Sequence, residues 1–180
     1  MLNIRIIVSV FEFLLAVLMS GIVIYVTYKI FIRANPDFDM EDEIARGNTS
    51  VGILVASILF SASVILQKAI TSVVSMFRLY MSAPGENNIA LWKLILMSAG
   101  HLTIAMAAAV ITISVTLRLF GRLTREKLHA GKELQKGNVA VGILLSAVVI
   151  IACMYVGEGV SAVSSALVPQ PSIGEIEIMK

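Results

Sequence analysis

Residues 43–54 read EIARGNTSVGIL, and residues 133–144 read ELQKGNVAVGIL. The stretches lie ninety residues apart, seven of twelve positions are identical, and Arg46 matches Lys136. No gap is needed, and ninety residues is half of the 180-residue chain. A self-similar period of this kind has to be recognised before any fold is assigned. It divides the chain into two units, residues 1–90 and residues 91–180.

On either side of each phrase the sequence turns apolar. Residues 6–32, 51–77, 91–120 and 139–168 each exceed the roughly 20 apolar residues needed to cross a bilayer. Lipid offers no partner for a backbone N–H or C=O, so each stretch is read as a helix. The surplus length implies tilt, kinking or helix ends standing above the membrane. The first stretch is too long for the apolar core of a signal peptide, and no A-x-A site follows it, so that helix is expected to be retained.

The composition agrees. Hydrophobic residues make up 58% of the chain and charged residues 14%, with a mean hydropathy of +0.91. Soluble domains average about 25% charged residues, and fewer would leave a water-facing surface poorly solvated. A soluble enzyme or a nucleic-acid module is therefore excluded, and a net charge of +2 points to no polyanion. The lone Cys153 cannot form an intrachain disulfide or a cysteine-based zinc site.

Lys and Arg near the ends of the spans set the orientation. The first and third loops hold nine (Lys29, Arg33, Arg46, Arg118, Arg122, Arg125, Lys127, Lys132, Lys136), and the opposite side four (Arg5, Arg78, Lys93, Lys180). Those two loops are therefore expected in the cytoplasm and both termini outside. Trp92 and Tyr80 suit an outer aromatic belt, and Tyr25, Tyr28 and Phe31 an inner one. Each half is then a helical hairpin, and both hairpins run the same way through the membrane. The expected fold is an all-α integral membrane protein of four transmembrane helices. Its two tandem parallel hairpins would be related by a pseudo-two-fold axis along the membrane normal.

The repeated phrase has a physical reading as a turn that leads the chain into the membrane. Gly47 and Gly137 permit a tight backbone turn. Asn48 and Asn138 stand where a side-chain oxygen caps the next helix. Gly52 with Ala56, and Gly142 with Ser146, are small-xxx-small steps that suit close helix approach. Glu43 with Arg46, and Glu133 with Lys136, are i,i+3 pairs on a short pre-membrane helix. A ligand or partner site at this phrase is the alternative reading.

Paired E-x-x-[RK]-G-N-x-[AS]-V-G-I-L phrases, each before the second helix of a hairpin, resemble the YjfL-like bacterial inner-membrane proteins. That family is known mainly as a domain of unknown function. The resemblance covers the whole chain and implies a four-helix inner-membrane protein of bacterial type. It carries over no catalytic residue.

Away from the ends of the spans stand four ionisable groups: Glu12, Lys68, His101 and Glu158. Each unpaired charge would cost about 2.5–3.5 kcal/mol at a helix centre, so such groups mark function or pairing. At 1.5 Å per residue, Glu12 lies roughly 9 Å, His101 roughly 15 Å, and Lys68 and Glu158 roughly 14 Å inward from the outer ends of their helices. Lys68 and Glu158 are ninety residues apart, hence equivalent. Ser57, Ser61, Lys68, Thr71, Ser72 and Ser75 share one helical face, Ser161 and Ser165 continue that of Glu158, and Ser98, His101, Ala105, Ala108 and Thr112 form a weaker stripe. Such faces suit close packing or a wet groove.

These observations favour an ion or proton pathway through an outer-half charge cluster in a homo-oligomer embedded in the lipid bilayer. A non-conducting accessory or scaffold subunit of a membrane complex is the rival. No enzymatic constellation, metal site or cofactor motif is visible; Cys153 reads as a packing residue and His129 as solvated. Beyond Pro169 and Pro171, the alternation of Glu175 and Glu177 with Ile176 and Ile178 has a strand period, read as an inter-chain strand or an ordered coil.

Overall fold

The computed structural model describes residues 2–33, 39–82, 90–124 and 128–167. The described residues form helices and turns. α1 (Leu2–Thr27) runs on through a π-helical turn (Tyr28–Arg33). α2 (Met40–Ala45) is short and α3 (Thr49–Ser82) is the longest element. α4 (Leu91–Leu123), a short α5 (Ala130–Gln135) and α6 (Val139–Leu167) follow. Four helices are long and apolar enough to cross a membrane, over Ile4–Ile32, Thr49–Met81, Leu91–Leu123 and Val139–Val163. The strand period expected in the tail falls at residues 175–178, outside the described residues.

Local chemistry explains the short elements. Asp39 caps α2, its carboxylate accepting from the backbone N–H of Glu41 at 2.9 Å and of Asp42 at 3.1 Å. Glu41, Asp42 and Glu43 then place negative charge at the positive end of the helix. Both short helices end in the same six-residue motif. Gly47 and Gly137 adopt φ of +80° and +81°, a left-handed conformation that a side chain would strain. The N–H of Gly47 donates to the Ile44 carbonyl and that of Asn48 to the Glu43 carbonyl, both at 2.9 Å. Gly137 to Leu134 at 2.9 Å and Asn138 to Glu133 at 3.0 Å repeat this pattern. This is a Schellman motif, which reverses the chain and satisfies carbonyls left over at the helix end.

α3 is the centre of the assembly, packing against α1, α4 and α6. Val51, Leu54, Ile58, Ile65 and Leu66 on α3 join Ile113 of α4 and Val149 and Cys153 of α6 in one buried cluster. The outer faces of α1, α4 and α6 are apolar and exposed, as lipid-facing surfaces are. Between α1 and α4 an apolar groove of about 620 Å³ opens, lined by Met19, Ile22, Leu102, Met106 and Val110 among others.

Candidate functional site

The turn motif does more than redirect the chain. The Asn48 amide donates to Glu43 Oε2 at 2.8 Å, and across to α5 at the carbonyls of Leu134 (2.9 Å) and Gln135 (3.2 Å). Its side-chain oxygen accepts from the Val51 N–H at 3.3 Å, the capping role expected of it. Ser50 Oγ donates to the Asn138 carbonyl at 2.8 Å, so the start of α3 is stitched to the start of α6. Asn138 donates to Glu133 Oε2 at 3.0 Å, within its own motif. Sequence reading paired the two glutamates only with the basic residue three positions on. Those contacts are present, Arg46 to Glu43 at 3.6 Å and Lys136 to Glu133 at 2.8 Å. The Asn-to-Glu bond spans five residues and was missed, although the E-x-x-x-x-N spacing in both halves is its signal. Hydrogen bonds from Lys136 and Asn138 hold the Glu133 carboxyl below the usual carboxylate range.

Gly142 bears out close helix approach: a Cβ there would lie 2.7 Å from the backbone oxygen of Ser50. Gly52 does not, since a Cβ there would meet nothing within 4 Å. The close-approach reading thus holds for one of its two glycines within the chain.

Higher along the same helix pair, Lys68 Nζ lies 2.8 Å from Glu158 Oε1. The two residues, ninety positions apart in the sequence, are in contact. The Lys68 side chain is 40% exposed and that of Glu158 71%, so this is a half-open pair rather than a sealed one. The stem of Lys68 rests on Gly157, where a Cβ would come 3.9 Å from its Cγ.

Glu12 stands apart from this pair. Phe11 stacks on Phe77 with ring centroids 4.1 Å apart, which levels that turn of α1 with the C-terminal part of α3. Lys68 lies nine residues before Phe77 on α3, so Glu12 is offset from Lys68 by roughly 12 Å along the helices rather than level with it. It is exposed and makes no ion pair among the described residues. His101 is buried on the same face of α4 as Leu94, Ala105, Ala109 and Ile113.

The hydroxyl stripe of α3 is mostly satisfied within the helix. Ser57, Thr71, Ser72 and Ser75 donate to the carbonyls of Leu54, Gln67, Lys68 and Thr71. Such back-bonding lets a hydroxyl sit in an apolar span without water. Ser61 and Ser146 differ: both are buried with hydroxyls lacking a well-oriented partner among the described residues, Ser61 lying beside the Cys153 thiol. Among the described residues no group of three His, Cys, Asp or Glu could hold a metal ion.

Four spanning helices with an ion pair between two of them define a multi-pass membrane protein. The chain belongs to the family described as Domain of Unknown Function (DUF350), whose model matches residues 5–160. No curated protein and no solved structure matches it.

Proposed function

We propose that this chain is a non-enzymatic protein of the bacterial inner membrane, with both termini outside, in which Lys68 and Glu158 form part of an ion or proton pathway. The observation that supports this reading is the pair itself: opposite charges 2.8 Å apart within two spans, with the carboxylate 71% exposed. A pair serving only to lock helices would gain most from being sealed between them. Hydrocarbon cannot solvate a half-open pair, so water or another protein surface must meet it. A carboxylate held beside an ammonium, where water or a neighbouring chain meets it, can exchange a proton or strip part of an ion's hydration shell. The buried Ser61, beside Cys153 of α6, adds a hydroxyl between α3 and α6 nearer the Asn48 end.

A scaffold role is the second reading. It is favoured by the Asn48 and Ser50 bonds, which fix how the hairpins pair. Purified protein in proteoliposomes, under an imposed pH gradient or membrane potential, separates the two. A pathway gives flux that is lost in the Lys68→Met, Glu158→Gln double variant while fold and assembly persist. A scaffold gives no flux in either form.

A further inference from the structure

The contact between α3 and α6 joins two different faces of a repeated helix. On α3 the contact residues include Ser50, Ser61, Ile65 and Lys68. On α6 they include Gly142, Cys153, Gly157 and Glu158. Subtracting the ninety-residue period turns the first three into Gly52, Ser63 and Gln67, while Glu158 alone maps to the first stripe, at Lys68. At 3.6 residues per turn, the Gly52–Ser63–Gln67 stripe lies nearly opposite the Ser50–Lys68 stripe. The contact is therefore heterologous: face one of the first unit meets face two of the second.

Such a contact leaves one copy of each face unused, and both are open here. On α3, Gly52 faces open space and Ser63 and Gln67 are exposed. On α6, Leu144 is 45% and Tyr155 78% exposed, whereas their equivalents Leu54 and Ile65 are 1% and 0%. The first helices follow suit, since α3 packs against α4 but α6 makes no comparable contact with α1. A closed two-fold pair would contain both.

Lipid covers leucine and tyrosine well, so exposed apolar area argues for nothing here. The Gln67 amide and the Glu158 carboxylate are another matter, being polar groups within the spans and on these same two faces. We infer that a second copy of this chain covers them, the Ala140–Leu144–Tyr155 face of α6 in one copy packing on the Gly52–Ser63–Gln67 face of α3 in the next. In that register Ala140 meets Gly52 as Ser50 meets Gly142. The Asn138 amide reaches the carbonyls of Ile44 and Ala45 as Asn48 reaches those of Leu134 and Gln135. Glu158 comes within reach of Lys68 of the neighbouring copy, so charges of alternating sign run from copy to copy. Heterologous contacts propagate, closing as a ring or continuing as a row, and do not stop at a dimer.

The test is disulfide trapping in native membranes, in a Cys153→Ala background with two differently tagged chains. One carries Gly52→Cys and the other Ala140→Cys, both at positions with room for a side chain. Cross-links between the two tags are expected, with none for either variant alone, and a chain carrying both changes should give a ladder beyond the dimer. Absence of the mixed cross-link, or self-linking of a single variant that stops at a dimer, overturns the inference. In the unmodified background, Gly52→Leu should reduce the native assembly to single chains, and an unchanged mass also counts against it. Neither measurement depends on flux, so a failed pathway and a failed interface are told apart.

Discussion

The two turn motifs form the same local structure in different surroundings. Gly47 and Gly137 share a φ near +80°, and each asparagine bonds the glutamate five residues before it. Yet Glu43 is buried and Glu133 less so, and Asn48 crosses to the other hairpin while Asn138 bonds within its own. Ser50 is sealed against α6, whereas Ala140 at the equivalent position is exposed. A twelve-residue phrase is enough to specify a helix end and a turn. What that turn supports depends on which neighbour stands against it.

This contrast can be broken most sharply at the glycines. Gly142→Ala forces a methyl group onto the Ser50 backbone, and overpacking of this kind costs about 1–3 kcal/mol. Gly52→Ala, in detergent dilute enough to hold single chains, should be neutral or stabilise by up to about 1 kcal/mol, the helix-propensity gain. Thermal unfolding of the two variants checks the difference. Equal losses would mean that both glycines are packed alike.

The asparagines come next. Asn48→Ala removes an amide whose two N–H groups serve three acceptors, two of them in the other hairpin, and should cost about 2 kcal/mol. Asn138→Ala removes one donated bond and should cost about 1 kcal/mol or less. Denaturation in mixed micelles would show the ranking, and a reversal would contradict the asymmetry.

The smallest effect is a pH dependence at Glu133. Its carboxyl is held below the usual range when folded, so the stability it contributes is present above the ordinary carboxylate pKa. That contribution is lost as pH falls through the lower, folded-state value. Wild type should therefore exceed Glu133→Gln in stability near neutral pH, with the gap closing in acid. A gap that stays constant with pH would exclude the ionised carboxylate as its source.

Much of this architecture is legible from residues alone, for reasons particular to membranes. Lipid forces each long apolar run into a helix, so the four spans could be placed almost to their ends. The G-N turn was legible because few residues other than glycine tolerate its backbone. Lys68 and Glu158 could be paired because equivalent positions of parallel hairpins lie at one depth. Which face of α3 meets α6 was not legible, since Gly52 and Gly142 sit in the same local sequence and differ only in their neighbours. Nor was the offset of Glu12 from Lys68 along the helices, which depends on where α1 docks through Phe11 and Phe77.

At the centre of the account is a coupled Lys68–Glu158 pair, and a double-mutant cycle on stability tests it most directly. Lys68→Met and Glu158→Gln should each destabilise the protein in detergent, because each leaves an opposite charge without its partner. The double variant should recover part of the loss, giving a coupling of at least about 0.5 kcal/mol. Partial exposure keeps this toward the lower end of the usual range for contacting residues. Losses that simply add would mean that the two charges do not interact, and would contradict both the pairing and the pathway built on it.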